Sequence, residues 1–349
     1  MPLPRLPACL TALLLIAGCA GTPAPLPEPG APYELSTASA ALRAQSCPDG
    51  VSYARAQSLE MTATPVELGG ELPLGPSAPD IAFAGGWHMT SPDANFGGLS
   101  GLDTFASGNF LSVTDEGAFV WINMEDGAPT SAHIAYMRGI DGALLAGKSL
   151  QDSEGLILTG SGLALVSFER EHRVAAFDLE GCGSAARSAP IASLAPHPTG
   201  MGKDLEDNGG AEGLALYGET VLLGIETREG GGPLAKLSAG PEATVISRLP
   251  LDGGLKITGL DMLGDTLYGV ARDYNPLIGN TIEVFSIDMS GEAPGEMVVL
   301  FRLDASTIVD NFEGIAATRN EDGTTRLWII SDNNFSDRQR TLLLAFDLK

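Results

Sequence analysis

The stretch "KDLEDNGGAEGLAL", Lys203–Leu216, ends in a three-residue pattern that recurs along the chain: a polar residue, a glycine, and a leucine or isoleucine. Further apolar runs of strand length follow each copy before the next copy begins. Four antiparallel strands repeated at a period of about 45–60 residues are typical of a β-propeller. The glycines are 54, 58, 46 and 55 residues apart, and the five copies are Ser100-Gly101-Leu102, Glu154-Gly155-Leu156, Glu212-Gly213-Leu214, Thr258-Gly259-Leu260 and Glu313-Gly314-Ile315.

We therefore predict an all-β protein, a β-propeller with four-stranded antiparallel blades, and the five copies predict five blades. The composition agrees, because 44 glycines and 23 prolines in 349 residues favour many short strands joined by turns. The last copy has only three strands when the sequence reaches Lys349. The runs at residues 58–68 and 80–91 can supply the missing strand and close the ring. If they formed a blade of their own, the ring would have six.

The N-terminal segment "MPLPRLPACLTALLLIAGCAG" has one positive charge followed by a short apolar run, which predicts a secretory signal over residues 1–18. The run closes on Ile16-Ala17-Gly18-Cys19, which resembles the lipobox of bacterial lipoproteins. We expect Cys19 to be lipidated, residues 19–50 to form a Pro/Ala-rich tether, and residues 51–349 to form the domain. Ala20 carries no inner-membrane retention signal, so we expect an outer-membrane lipoprotein facing the periplasm. The alternative is a secreted protein with a chance cysteine.

Two cysteines remain after Cys9 is removed and Cys19 is lipidated. Cys47 and Cys182 both lie in Gly-, Pro- or Ser-containing loop contexts, and an oxidising compartment favours a disulfide between them. The alternative is two buried free thiols.

The charge balance limits the partners of the protein. Lys and Arg number 20 against 44 Asp and Glu, a formal net charge of −24. Such a field repels nucleic acid and anionic lipid head groups. We expect no nucleic-acid partner, membrane contact only through the lipid, a monomer, and a small-molecule or phosphoester substrate whose charge a bound metal offsets.

The repeat also predicts where the acidic residues lie. The first strand of each propeller blade lines the channel, and the second strand ends beside the start of the first. Two rings therefore share one mouth: Ser100, Glu154, Glu212, Thr258 and Glu313 from the first strands, with Asp115/Glu116, Glu169/Arg170, Glu226/Arg228, Arg272/Asp273 and Asp332/Asn333 from the second. Crowded carboxylates favour a hard cation, and we expect Ca²⁺. Alternatively, these acids pair with the arginines and backbone amides as structural fasteners.

Four motifs carry a resemblance to a known family: "FGGLSGLD", "SVTDEG", "DLEDNGGAEGLAL" and "FEGIAATRNEDGTTRLWIISDNNFSDRQRTLLLAFDL". From about residue 97 to the C-terminus, the chain resembles the phytase-like ("esterase-like activity of phytase") domain of bacterial envelope proteins. The resemblance implies a propeller with acidic residues suited to phosphodiester or phosphate-ester chemistry. By motif position, these residues are Asp103, Asp115, Glu212, Glu313 and Asp332.

The residues favour metal-assisted hydrolysis over serine or zinc chemistry. No Gly-x-Ser-x-Gly elbow occurs, and His88, His133, His172 and His197 show no ligand spacing. Glu212 or Asp332 would take a proton from water, and Arg228, Arg272 or Arg170 would bind phosphate oxygens. Hydrolysis of a sugar lactone and a non-catalytic binding or scaffold role remain alternatives. The expected Ca²⁺ ligands are Asp103, Asp115, Glu154, Glu212, Glu313 and Asp332.

Overall fold

The computed structural model describes residues 33–194, 198–227, 231–238 and 243–349. The predicted signal segment, Cys19 and the start of the predicted tether lie outside the described residues. Within the described part of the chain, no helix is both long and apolar enough to cross a membrane.

Five antiparallel sheets are arranged in a ring. The chain begins with helix α1 (Leu35–Ser46) and strands β1 (Gln57–Leu59), β2 (Thr62–Pro65) and β3 (Ile81–Thr90). Blade 1 then contains β4 (Leu99–Thr104), β5 (Phe110–Thr114), β6 (Ala118–Glu125) and β7 (Ala128–Tyr136), and the short helix α2 (Lys148–Gln151) follows it. Blade 2 contains β8 (Ser153–Leu158), β9 (Leu163–Phe168), β10 (Arg173–Asp178), the short helix α3 (Leu179–Cys182) and β11 (Ala189–Ser193).

The remaining blades repeat this order. Blade 3 contains β12 (Ala211–Tyr217), β13 (Thr220–Ile225), β14 (Gly232–Leu237) and β15 (Ala243–Leu249). Blade 4 contains β16 (Lys256–Leu263), β17 (Thr266–Asn275), β18 (Gly279–Asp288) and β19 (Met297–Leu303). Blade 5 contains β20 (Asn311–Arg319), β21 (Thr325–Asp332) and β22 (Thr341–Leu348).

The repeated glycines allow the innermost strands of neighbouring blades to approach closely. A Cβ atom added to Gly259 would lie 2.3 Å from the carbonyl oxygen of Glu313 in the next blade. A Cβ atom on Gly314 would lie 2.3 Å from the carbonyl oxygen of Ser100, which returns the ring to blade 1. Only glycine fits such a backbone approach. The same close contact with the next blade occurs at Gly101, Gly155 and Gly213.

The ring closes between the two ends of the domain. Strand β3 pairs with β22 along its length, from Ile81 opposite Leu348 to Met89 opposite Thr341. Strand β2 continues this sheet outside β3, and β1 pairs with β7 at the outer edge of blade 1. The predicted five-bladed propeller and its closure by the N-terminal runs are confirmed, and no separate sixth blade forms from them.

The hydrophobic cores lie between adjacent blades. The ring centroid of Phe346 of β22 lies 4.3 Å from that of Phe301 of β19 at a tilt of 33°, and Phe346 meets Phe83 of β3 edge-on. All three side chains belong to the core shared by blades 4 and 5. Because each blade has a neighbour on both faces, its strands alternate between two cores.

Helix α1 corrects the predicted tether boundary. Leu35 and Leu42 lie seven residues apart on one helix face, and both are buried in the core of blades 2 and 3. The Nη1 atom of Arg43 lies 2.5 Å from Oδ1 of Asp178. Because α1 packs on the blades, it belongs to the domain and not to the tether predicted over residues 19–50. The Pro/Ala-rich composition around it had concealed this short amphipathic pattern. The predicted Cys47–Cys182 disulfide is confirmed and ties the end of α1 to blade 2.

Candidate functional site

A cavity of about 930 Å³ opens at one end of the propeller channel, and we call it the mouth cavity. The starts of the first strands and the ends of the second strands meet there, as the repeat predicts. Its ionisable lining includes Asp115, Lys148, Asp152, Glu154, Glu169, Glu212, Glu226, Arg272, Asp310, Glu313, Asp332, Arg338 and Arg340.

A β-bulge sets the direction of the polar residue in each motif. In β12, Ala211 pairs with Ile225 and Gly213 pairs with Gly224, so Glu212 has no partner across the ladder. Similar register shifts occur at this position in the innermost strands of all five blades. Bulges re-aim side chains next to functional sites. Of the five polar residues of the motif, Glu154, Glu212 and Glu313 line the mouth cavity. The two short ones, Ser100 and Thr258, are buried and do not line it, which corrects the prediction of a complete first ring.

Three carboxylates lie close together in the mouth cavity, and we call them the carboxylate cluster. One oxygen from each of Asp152, Glu154 and Glu169 lies within 4.8 Å of the other two. Asp152 has two cationic partners, with Nζ of Lys148 and Nε of Arg170 each 2.6 Å from its oxygens. In the described part of the chain, no Lys or Arg lies within salt-bridge distance of Glu154 or Glu169.

Burial and mutual repulsion disfavour ionisation of these side chains. Burial, followed by the charges of Glu313 and Glu169, raises the pKa of Glu154 well above its usual value. Burial is also the main cause that raises the pKa of Glu169 to about 7. The pKa of Glu212 is raised well above its usual value by burial and by the charges of Glu154 and Glu169. Glu212 and Glu169 also share a hydrogen bond, so this pair carries a proton unless a cation compensates it.

A second acidic pair lies in blade 5. Nδ2 of Asn311 donates to Oε1 of Glu313 at 2.9 Å and to Oδ2 of Asp332 at 3.2 Å. The Nη2 atom of Arg272 lies 3.2 Å from Oε1 of Glu313. Burial and the charge of Glu313 raise the pKa of Asp332 to about 8. This pair is therefore held by an amide and one arginine, and Asp332 exchanges its proton near neutral pH.

Basic residues line the same cavity from blades 4 and 5. Arg272 comes from β17, and Arg338 and Arg340 come from the loop between β21 and β22. We call these three residues the arginine rim. Nε of Arg340 lies 3.0 Å from Oδ2 of Asp310, and its Nη2 donates to the carbonyl oxygen of Val309.

The structure brings most of the predicted site residues together, and Asp103 is the exception. The lining contains Asp115, Glu154, Glu212, Glu313, Asp332 and Arg272. Asp103 lies near the far end of β4, where it pairs with Leu111 and accepts a hydrogen bond from the backbone N–H of Leu158. Its inclusion among the metal ligands is therefore wrong, because β4 carries it along the channel away from the mouth.

The two other predicted arginines have different outcomes. Arg228 lies outside the described residues. Arg170 pairs with Asp152, so its guanidinium supports the carboxylate cluster.

Sequence reasoning missed five charged lining residues that lie outside the repeat: Lys148, Asp152, Asp310, Arg338 and Arg340. The echo "KSLQDSEG" before Glu154 was the available signal for Lys148 and Asp152. No repeated pattern marks the loop that carries Arg338 and Arg340.

The residues of the mouth cavity fit a hard divalent cation. The donors are carboxylate oxygens, which Ca²⁺ prefers, and they carry more negative charge than nearby cations offset. Asp115 Oδ1 is buried without a hydrogen-bond partner in the described part of the chain, while its Oδ2 lies 2.7 Å from Nζ of Lys148. A cation would satisfy such oxygens and lower the cost of burying the cluster.

Solved structures with related folds are only distantly similar to the chain. A glucose dehydrogenase from Thermus thermophilus is 12% identical, with 82% of this chain and 100% of that chain covered and a TM-score of 0.36. A glycoside hydrolase family 43 β-1,3-galactosidase is 13% identical, with coverage of 71% and 90% and a TM-score of 0.47. Virginiamycin B lyase from Staphylococcus aureus is 11% identical, with coverage of 83% and 100% and a TM-score of 0.39. At these scores, the likenesses carry no argument about activity.

No curated protein matches the chain in sequence. A family model does match, over residues 94–335, and its description is "Phytase-like: Esterase-like activity of phytase". This match spans more than half of the chain and includes the motifs that line the mouth cavity. The chain therefore belongs to the phytase-like family.

Proposed function

We propose that the protein is a divalent-cation-dependent hydrolase of phosphoesters, with its active centre in the mouth cavity. The observation that carries this proposal is the carboxylate cluster, Asp152, Glu154 and Glu169, buried in the same cavity as the arginine rim. Membership of the phytase-like family supports the ester class of substrate.

The carboxylate cluster would hold the cation, with Ca²⁺ as the proposed ion. A bound Ca²⁺ supplies Lewis-acid polarisation of a phosphoryl oxygen. Lys148 and Arg170 fix the Asp152 carboxylate from two sides, which preserves the geometry of the cluster. Charged hydrogen bonds of this kind orient carboxylate ligands.

The opposite side of the cavity would bind substrate and move protons. Arg272 is positioned by Glu313 and directs its guanidinium into the cavity. Asp332, held by Asn311, exchanges a proton near neutral pH and is the proposed proton-transfer group. Glu212 is the second candidate for this role, because it lines the cavity beside Glu169.

Calcium binding tests the centre directly. Isothermal titration of the chelator-treated protein with CaCl₂ should show one site, and Glu169→Gln should weaken it at least about tenfold. Glu321→Gln is the matched control, because this exposed residue lies in the β20–β21 turn at the opposite end of blade 5. Equal Ca²⁺ affinity in Glu169→Gln and the wild type would show that the carboxylate cluster does not bind the ion.

Activity tests the reaction separately. Hydrolysis of bis-p-nitrophenyl phosphate should require Ca²⁺ and stop in excess chelator. Cleavage of a lactone in place of the phosphodiester would overturn the substrate class. Calcium binding without hydrolysis of either compound would favour a binding module.

We also propose that Cys19 anchors the protein in the bacterial envelope, most simply in the outer membrane facing the periplasm. The motif at residues 16–19 supports this proposal. Cys19→Ala should move the protein from the membrane fraction to the soluble fraction, and mass spectrometry of the wild-type N-terminus should find a diacylglycerol adduct. An unmodified wild-type Cys19 would contradict the proposal.

A further inference from the structure

The charges that line the mouth cavity are divided between two sides of the ring. Blades 2 and 3 contribute Glu154, Glu169, Glu212 and Glu226, while the arginine rim comes from blades 4 and 5. The acidic residues of blade 5 already have partners, since Asp310 binds Arg340, Glu313 binds Arg272, and Asp332 binds Asn311. Two of the three rim arginines are therefore matched by ion pairs, and Arg338 is the rim cation that no ion pair with a described residue offsets, in a protein whose net charge is −24.

Two guanidiniums of the rim have hydrogen-bond donors without acceptors. Nε of Arg272 is buried and has no acceptor in the described part of the chain, although Nη2 of the same side chain binds Glu313. Arg338 lines the cavity, and no described residue forms an ion pair with its guanidinium. The Nε atom itself has almost no accessible surface, so a ligand would meet Arg272 only through the part of its guanidinium that lines the cavity, whereas Arg338 is exposed.

The loop that carries Arg338 is held in an unusual backbone conformation. Asn334 and Phe335 have φ angles of 47° and 48°, a region that non-glycine residues seldom occupy. Side chains at the mouth hold this conformation: Oδ1 of Asn333 accepts hydrogen bonds from the N–H groups of Phe335 and Gly98, and Oδ1 of Asp332 accepts one from Asn334. Such local strain persists where the surrounding structure imposes it, and it is common at ligand-binding sites.

We propose that Arg338 is a specificity-determining residue that, with Arg272, binds the anionic phosphate group of the substrate. This inference rests on the proposed function, and it assigns the recognition of the substrate's phosphate group to a residue of the β21–β22 loop. A guanidinium binds phosphate through paired N–H···O bonds, and both guanidiniums line the cavity, with that of Arg338 outside any ion pair to a described residue. The negative field of the whole protein makes such a local cationic contact necessary for an anionic substrate.

Direct binding of phenyl phosphate tests the proposal without requiring turnover. Titrated into the calcium-loaded protein at low ionic strength, phenyl phosphate should bind the wild type. Arg338→Gln should weaken this binding at least about tenfold, and Arg338→Lys should weaken it less. Arg319→Gln is the charge-matched control, because Arg319 lies on the same blade at the far end of β20. Arg338 is exposed, so its substitution should leave the melting temperature unchanged.

Kinetics supply a second measurement. Arg338→Gln should raise KM for bis-p-nitrophenyl phosphate with little change in kcat, and Arg319→Gln should change neither. Wild-type affinity for phenyl phosphate in Arg338→Gln, or no binding by the wild type, would overturn the inference. If phenyl phosphate binds in a manner that depends on Arg338 but bis-p-nitrophenyl phosphate is not hydrolysed, the proposed hydrolase function is wrong and the phosphate-binding role of Arg338 still stands.

Discussion

Asp103 and Asp261 occupy the same place in two blades, three residues after the polar residue of the motif. The Asp103 carboxylate accepts a 2.6 Å hydrogen bond from the N–H of Leu158 in the next blade, and the Asp261 carboxylate accepts one of the same length from Ala317. Each also accepts a hydrogen bond from the N–H of the residue that follows it. These two residues therefore connect innermost strands of neighbouring blades at the channel end away from the mouth.

The pair of Asp103 and Asp261 should make the free energy of unfolding depend on pH. Burial raises the pKa of Asp103 to about 6 from 3.8, and burial together with the charge of Asp103 raises the pKa of Asp261. The native state then binds more protons than the unfolded state between these values, so this group's contribution to stability is lost as pH rises from about 4 to 6. Urea denaturation of wild type and Asp103→Asn should show a stability difference that changes over this window. A constant difference from pH 4 to pH 7 would contradict the assignment.

Glu212 should destabilise the protein when no divalent cation is present. Glu212→Gln keeps an oxygen to accept the 2.9 Å hydrogen bond from the N–H of Gly210, but it removes a buried charge beside Glu169. We expect its melting temperature at pH 8 in chelator to rise by about 2 to 4 °C. Added Ca²⁺ should then stabilise the variant less than the wild type. Differential scanning fluorimetry measures both effects, and Glu321→Gln should show neither.

The glycine contacts between blades predict a clear difference between two Gly→Ala substitutions. Gly259→Ala places a methyl group 2.3 Å from the backbone oxygen of Glu313, so the two innermost strands must separate. We expect a loss of about 1 to 3 kcal/mol in the free energy of unfolding. Gly160 has no atom within 4 Å of an added Cβ and serves as the control. Equal stability of the two variants by urea denaturation would show that the ring tolerates this separation.

The disulfide should contribute substantially to stability, because Cys47 and Cys182 are separated by 135 residues. Reduction should cost about 2 to 5 kcal/mol and should release the end of helix α1 from blade 2. Chemical denaturation with and without reductant measures this cost. The Cys47→Ser/Cys182→Ser double variant should match the reduced wild type and should not respond to the reductant.

The sequence predicts the ring well because one steric requirement repeats in every blade. Each motif glycine contacts the innermost strand of the next blade, so the sequence contains one copy of the motif for each of the five contacts between blades. The positions of Glu154, Glu212 and Glu313 at the mouth can be predicted for the same reason, because a β-bulge recurs beside the motif glycine. Asp103 is three residues further along its strand than Ser100, which at about 3.3 Å per residue is far from the mouth. The family resemblance placed Asp103 among the site residues, and the geometry of the strand contradicts that placement.

The remaining site residues lie where the repeat has no influence. Asp152 precedes its strand, and Arg338 lies in a loop whose path depends on side-chain hydrogen bonds from Asn333 and Asp332. Tertiary contacts of this kind leave no periodic signal in a single sequence. The same holds for helix α1, whose two buried leucines become informative only when the surface that covers them is known.

The pairing of β3 with β22 has a consequence for the time course of folding. The two strands come from nearly opposite ends of the sequence, and contacts between distant segments form slowly because a long loop must first close. Until β22 is available, β3 has only the four-residue strand β2 beside it and presents a free edge to other chains. Domains made from the N-terminus onward hold such an edge open throughout synthesis. The last strand to emerge therefore determines when the whole ring becomes resistant to aggregation.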